Sequence, residues 1–148
     1  MSERRNMGNT DAPHRQRGDR PAVLVIEDDP DNQNVYEIML EDRYEVLLAA
    51  NGEDTRTHLR DANGRIVVAV VDLALARSED GFTLTRFLRQ QPGWSHIPII
   101  AITAHVFPEW RDRAFEAGCD AFLTKPINLT KLREVLDQLI AERVSKSS

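Results

Sequence analysis

Short apolar runs alternate along the chain with longer stretches in which apolar residues recur at helical spacing. Each run is too short for a helix, and most are rich in β-branched residues, which is typical of a strand buried on both faces of a sheet. Strands are predicted over Ala22–Ile26, 44–50, 66–71, 97–103 and Ala121–Thr124. Helices are predicted from about Asp29 to Asp31 onward, over 53–62, around 82–88, over Pro108–Ala117 and from 129 onward.

Two of these helices carry the most detailed signals. Val35, Ile38 and Met39 recur at helical spacing and form the apolar stripe of the first helix. In the last helix, leucines and one isoleucine share a stripe between residues 129 and 140, and Asn128 precedes them as the expected N-cap. Both segments are therefore predicted to pack one face on the sheet.

Five strands that alternate with five helices predict an α/β domain with a parallel sheet. Parallel strands need long right-handed crossovers, and these place helices on both faces of the sheet. The run 66–71 is the most apolar stretch of the chain, so we expect this strand at the centre of the sheet. The functional site of such a sheet lies at the carboxyl ends of its strands.

The first twenty residues differ in composition from the rest. They hold almost no apolar side chains and carry five arginines against three acids, a net charge of +2, whereas residues 21–148 carry 14 basic and 21 acidic groups, a net charge of −7. A flexible basic tail is therefore predicted over residues 1–20, a folded domain over 21–143 and a C-terminal tail over 144–148. The acidic folded part is not expected to bind nucleic acid directly.

Composition excludes several other classes of protein. A chain of 148 residues with 41% hydrophobic and 29% charged residues is typical of one globular domain. Its longest apolar run has six residues, far below the roughly 20 that span a bilayer, and its N-terminal residues lack the apolar h-region that is typical of a signal peptide. A single cysteine, Cys119, forms no intramolecular disulfide. We therefore expect a cytoplasmic protein that does not engage a membrane.

Residues suited to chemistry stand where the predicted strands end. Glu27 and Asp28 follow the first strand, Asp72 the third and Lys125 the fifth, while Thr103 ends the fourth. These groups are expected to share one edge of the sheet. Clustered carboxylates fit either solvated loops or an oxygen cage for a hard cation such as Mg²⁺. Both interpretations stay open for each acid alone, but at Asp72, directly after six apolar residues, a functional role is favoured.

Five motifs occur together in the chain: 23–30 (VLVIEDDP), 70–72 (VVD), 80–82 (DGF), 98–104 (PIIAITA) and 117–126 (AGCDAFLTKP). In this combination the chain resembles the receiver domain of bacterial two-component response regulators, over about residues 21–143. The resemblance implies a flavodoxin-like (βα)5 three-layer sandwich with strand order 2-1-3-4-5. It also implies a phosphoacceptor signalling domain that catalyses only its own phosphotransfer and dephosphorylation.

The resemblance assigns the acidic residues to phosphoryl transfer. Asp72 would accept a phosphoryl group from a phosphohistidine on a sensor histidine kinase or a histidine phosphotransfer protein. Mg²⁺ is the implied cofactor, bound by Asp28, Asp72 and the backbone carbonyl of Ala74, while Glu27 would act through a metal-bound water. Such a cation neutralises the charge that phosphoryl transfer develops on oxygen.

The resemblance also assigns residues that would respond to the phosphoryl group. Thr103 and the amide of Ala104 would hold phosphoryl oxygens, and Lys125 would pair with the phosphoryl group. Phe122 stands at the family's aromatic switch position, where it would couple to Thr103. The bond between Lys125 and Pro126 corresponds to a cis peptide of the family.

The expected output is a change of shape. A chain that ends at Ser148 leaves no room for a further domain, so we expect a stand-alone receiver that signals to a downstream protein. The fourth helix, fifth strand and fifth helix are the implied surface for that partner or for a homodimer.

Some positions depart from the family pattern. Glu27 stands where the family usually has Asp, and Phe122 stands where it often has Tyr. The loop 73–81 lacks the usual proline and is one residue longer than is common in the family.

Three other functions compete with this interpretation. A haloacid-dehalogenase-like phosphatase would need a threonine in the run 29–33, which has none. A flavin carrier would need a phosphate-binding loop after strand one, and the sequence there lacks its glycines and threonines. A receiver that acts as a scaffold without phosphorylation is disfavoured, since every acceptor-site residue is present.

Overall fold

The computed structural model describes residues 20–62, 64–75, 80–105 and 107–147. Residues 1–19 of the predicted basic tail and Ser148 lie outside these ranges, so the domain boundaries stay predictions. None of the helices in the described ranges combines the length and the apolar character that a bilayer-spanning segment needs.

Five strands and five helices alternate as the apolar pattern predicts. In chain order they are β1 (Ala22–Ile26), α1 (Pro30–Leu40), β2 (Glu45–Ala49), α2 (Gly52–Ala62), β3 (Ile66–Asp72), α3 (Gly81–Arg89), β4 (Ile99–Thr103), α4 (Pro108–Ala117), β5 (Ala121–Thr124) and α5 (Leu129–Ser147). The strands form one parallel sheet in the order β2-β1-β3-β4-β5. This confirms the flavodoxin-like fold and the central position of β3.

Helices cover both faces of the sheet and create two cores. One core joins alternate side chains of the strands to those of α2, α3 and α4, and it includes Leu24, Val71, Leu84 and Ala114. The other joins the opposite side chains to α1 and α5, and it includes Val25, Val70, Tyr36, Leu132 and Leu136. Every residue of β1 and β4 is buried, as expected for strands covered on both faces.

The buried face of α1 differs from the predicted stripe. Val35 and Ile38 are 42% and 64% exposed, whereas Tyr36 and Leu40 are buried. Apolar residues recur at helical spacing along both faces of this helix, so spacing alone does not decide which face meets the sheet. Contacts at the start of the helix, described below, turn Tyr36 and Leu40 inward. The predicted stripe was therefore wrong for Val35 and Ile38, whereas its third member, Met39, is partly buried against the core.

A glycine holds the start of α3 close to the sheet. The Gly81 amide donates to the carbonyl of Leu73 over 3.2 Å. A Cβ atom at Gly81 would overlap the backbone carbonyl oxygen of Asp72 and lie 2.6 Å from the Cα of Leu73. The start of α3 therefore packs directly on the backbone that carries Asp72.

We expect Gly81→Ala to destabilise the protein. Alanine favours a helix by up to about 1 kcal/mol over glycine, but the clash with the Asp72 and Leu73 backbone should outweigh this gain and cost about 1 to 3 kcal/mol. Urea unfolding measures the difference. Thr83→Ala, at an exposed position of the same helix, is the matched control and should change stability by less than about 0.5 kcal/mol. A stabilised Gly81→Ala variant would contradict the close approach.

Candidate functional site

Three carboxylates meet at the carboxyl ends of two neighbouring strands. Glu27 and Asp28 directly follow β1, and Asp72 is the last residue of β3. One carboxylate oxygen from each lies within 4.8 Å of the others. Glu27 and Asp72 are only 1% and 5% exposed, while Asp28 is half-buried. The sequence-based prediction that these acids converge is thereby confirmed.

Lys125 lies between two of these carboxylates. Its Nζ donates to Glu27 Oε1 over 3.2 Å and to Asp72 Oδ2 over 3.0 Å. Lys125 follows β5, and its amide donates to the carbonyl of Thr103 over 2.9 Å. The peptide bond to Pro126 is cis, as the family resemblance implies. An ammonium from the edge strand of the sheet therefore neutralises acids from its centre.

Burial controls the electrostatics of this cluster. The pKa of Glu27 is raised by burial and, to a smaller extent, by the charge of Asp72, although the Asp29 amide and Lys125 oppose the shift. Burial alone would lower the pKa of Lys125. The hydrogen bond and charge of Asp72, together with Glu27, outweigh burial and raise it. Lys125 is therefore held as an ammonium that faces two acceptors.

Backbone and amide groups fix the directions of the acids. The Asp29 amide donates to Glu27 Oε2 over 3.1 Å, and the Ala74 amide donates to Asp72 Oδ1 over 2.9 Å. Gln33 reaches back from α1, where its Nε2 donates to the Glu27 carbonyl over 2.6 Å. Sequence reasoning missed Gln33. Its place in the first turns of the helix that follows the acids was the available signal.

The expected phosphoryl-binding residues lie on the next strand. Thr103 ends β4 and is fully buried, and its Oγ1 accepts a hydrogen bond from the His105 amide over 3.1 Å. Ala104 follows it and is exposed. Because Asp72 pairs with Ile102 in the register of β3 and β4, Thr103 lies one residue beyond Asp72 at the same edge. The strand order thus brings Thr103 and Ala104 to the side of the acids.

Two expected residues lie at the border of the cluster. Phe122 is on β5, opposite Ala101 of β4, and its half-buried ring packs against the core rather than among the acids. Ala74 is exposed two residues after Asp72. The unusual loop 73–81 includes residues 76–79, which lie outside the described ranges. The metal-ligand role of the Ala74 carbonyl therefore stays a prediction.

The donor set fits a hard divalent cation. Carboxylate oxygens from Glu27, Asp28 and Asp72 converge, and no nitrogen or sulfur ligand belongs to the described cluster. Oxygen ligands of this kind suit Mg²⁺ and Ca²⁺ rather than softer metals. The arrangement can therefore hold a cation beside a buried carboxylate that also faces an ammonium.

Comparisons with known proteins agree with this geometry. A sequence model described as "Response regulator receiver domain" matches residues 23–137. The polar-differentiation response regulator DivK of Brucella anthropi is 24% identical over 122 residues, covering 82% of this chain and 97% of DivK. The sensor histidine kinase RcsC of Escherichia coli (strain K12) is 33% identical over 126 residues, covering 84% of this chain but 13% of the kinase.

A solved structure bears on the metal. The receiver domain of sensor histidine kinase PA1611 from Pseudomonas aeruginosa PAO1 is 33% identical, with a TM-score of 0.71, and the match covers 82% of this chain and 98% of that domain. It holds a magnesium ion coordinated in its active site cleft. The cluster of Glu27, Asp28 and Asp72 matches the magnesium site of receiver domains. The chain therefore belongs to the response regulator receiver domain family, whose members are phosphoacceptor modules of two-component signalling.

Proposed function

We propose that Asp72 accepts a phosphoryl group from a phosphohistidine on a sensor histidine kinase or a histidine phosphotransfer protein. The phosphorus–nitrogen bond of the donor breaks, and a bond forms between phosphorus and a carboxylate oxygen of Asp72. The observation that carries this proposal is the setting of Asp72, a buried carboxylate beside two further acids and 3.0 Å from an ammonium. Such a setting suits transfer by positioning and charge neutralisation.

The acids have a second role in this proposal, as ligands for Mg²⁺. Asp28, Asp72 and the Ala74 carbonyl would bind the cation directly, and Glu27 would hold one of its waters. When bound, Mg²⁺ supplies positive charge for the equatorial phosphoryl oxygens. The convergence of the three carboxylates supports this assignment, as does the magnesium ion in the PA1611 receiver domain.

Lys125, Thr103 and Ala104 act on the phosphorylated form. Lys125 leaves one of its carboxylate partners and pairs with a phosphoryl oxygen, because that group carries more negative charge. The hydroxyl of Thr103 leaves the His105 amide and donates to another phosphoryl oxygen, beside the amide of Ala104. Displacement of Thr103 frees space on β4, towards which Phe122 of the neighbouring strand turns.

The output surface is the face of α4, β5 and α5. A groove there is lined by Phe107, Arg111, Phe122 and Lys131, and Phe107 is exposed. We propose that a downstream protein, or a second copy of this chain, binds this face after phosphorylation. The match across 97% of DivK supports a receiver that works as a stand-alone protein.

Asp72→Asn should abolish labelling, because the amide nitrogen cannot replace the attacking carboxylate oxygen. With Mg²⁺ and a small-molecule phosphodonor, the parent protein should gain the mass of one phosphoryl group, and the group should be labile to base. Intact-mass spectrometry measures the gain. Asp112→Asn, at an exposed acid of α4, is the matched control and should label like the parent. Undiminished labelling of Asp72→Asn would contradict the assignment.

Mg²⁺ should stabilise the protein by binding the converged acids. At a free concentration about tenfold above Kd, the gain for the parent is about 1.4 kcal/mol. Asp28→Asn removes one repelling charge, so we expect it to be more stable than the parent in chelator but to gain less from Mg²⁺. Urea midpoints with chelator and with Mg²⁺ test both expectations. An equal gain for the variant and the parent would exclude Asp28 from the metal site.

The raised pKa of Glu27 predicts a pH dependence of stability in chelator. Because the native state holds this proton more tightly than the unfolded state, the stabilisation is fully present below the usual pKa of 4.5 and is lost as pH rises through the raised value. Glu27→Gln does not titrate, so its free energy of unfolding should gain on that of the parent over the range above pH 4.5. Urea unfolding across this range measures the trend, with the exposed Glu116→Gln as baseline. A difference that does not change with pH would rule the raised pKa out.

A further inference from the structure

Tyr36 of α1 carries a buried hydroxyl that makes no hydrogen bond within the described residues. The side chain is 2% exposed, and no described residue offers its hydroxyl a hydrogen-bond partner. The neighbouring buried tyrosine, Tyr44, has Arg43 as a side-chain partner. Phenylalanine would fill the same space on α1 without an unpaired polar group. An unpaired buried hydroxyl lowers the stability of the native state. A second state in which the hydroxyl finds a hydrogen-bond partner would therefore be favoured.

The position of Tyr36 directs it towards the acidic cluster. Tyr36 follows Gln33 by three residues and shares its helix face, and Gln33 donates to the Glu27 carbonyl. Helical side chains lean towards the N-terminus of their helix, which for α1 is the end at the cluster. After burial, the charges of Glu27 and Asp72 are the causes that raise the pKa of the Tyr36 phenol. The hydroxyl therefore stays protonated and can donate.

Glu27 is the group that would need a further hydrogen-bond donor in the phosphorylated state. Oε2 accepts from the Asp29 amide, but Oε1 accepts from Lys125, whose ammonium also serves Asp72. In the function proposed above, Lys125 turns to the phosphoryl group on Asp72. Glu27 is only 1% exposed, so with Lys125 turned away the donor that the proposed function leaves to Oε1 is a water of the bound Mg²⁺. A neutral water stabilises a buried carboxylate less than the ammonium it replaces, so a further donor would favour this state.

We propose that Tyr36 is a positioning residue for the phosphorylated state, in which its hydroxyl supports Glu27 through a bound water after Lys125 has turned away. A water can bridge two such groups because it both accepts from the phenol and donates to the carboxylate. The inference rests on the proposed phosphorylation of Asp72 and on the movement of Lys125. It assigns the unpaired hydroxyl a role that appears only when Asp72 carries a phosphoryl group.

Tyr36→Phe tests this role with the purified full chain. Mg²⁺ with beryllofluoride, which mimics a phosphoryl group on a carboxylate, is titrated while urea midpoints and tryptophan fluorescence are recorded. We expect the variant to bind beryllofluoride about tenfold more weakly, the effect of roughly one hydrogen bond to a charged group. Without beryllofluoride it should be as stable as the parent or more stable. Tyr44→Phe is the matched control and should keep the affinity of the parent.

The outcomes separate this inference from the proposed function. If the parent responds to beryllofluoride and Tyr36→Phe responds with equal affinity, the role of Tyr36 is overturned while phosphorylation of Asp72 stands. A loss of unliganded stability in Tyr36→Phe with unchanged affinity also overturns it, since the hydroxyl would then serve only the fold. If the parent does not respond and Asp72→Asn behaves identically, the proposed function itself fails.

Discussion

The ammonium of Lys125 lies between the carboxylates of Glu27 and Asp72, and the functional end of the sheet depends on this contact. Both acids are buried, and Asp28 adds a third negative group within 4.8 Å. Such a cluster without a cation would take up protons or separate, because burial and mutual repulsion both disfavour the charged forms. One lysine therefore allows these acids to remain together at the end of the sheet.

This contact joins distant parts of the chain. Lys125 is 98 residues from Glu27 and 53 from Asp72 in sequence, so the contact forms only when β5 completes the sheet beside β4. Arg89 fixes the opposite end of that edge. It donates to the carbonyls of Trp94, Ile97 and Gly118 and to Asp120, which also accepts from the Ile99 amide. The short edge strand is thus held at both ends by charged side chains.

Helix α1 links the fold to the chemistry of the cluster. Asp29 caps the helix by accepting from the Asp31 amide, while its own amide donates to Glu27. Gln33 and Tyr36 then continue one face of the helix from the acids into the core. Because Gln33 fixes this face against the Glu27 carbonyl, Val35 is left on the outer side of α1. The same contacts that orient an acid therefore decide which residues of the helix are exposed.

The sequence by itself determined where the strands and helices lie and which residues end the strands, because apolar runs, helical spacing and turn residues are local signals. The convergence of Glu27, Asp28 and Asp72 followed from the parallel sheet, although strand order 2-1-3-4-5 rested on the family resemblance. Only the tertiary structure decided the buried face of α1, the packing of Gly81 on the Asp72 backbone and the unpaired hydroxyl of Tyr36. Each of these depends on distances between elements far apart in sequence, and such distances leave no periodic pattern in the chain.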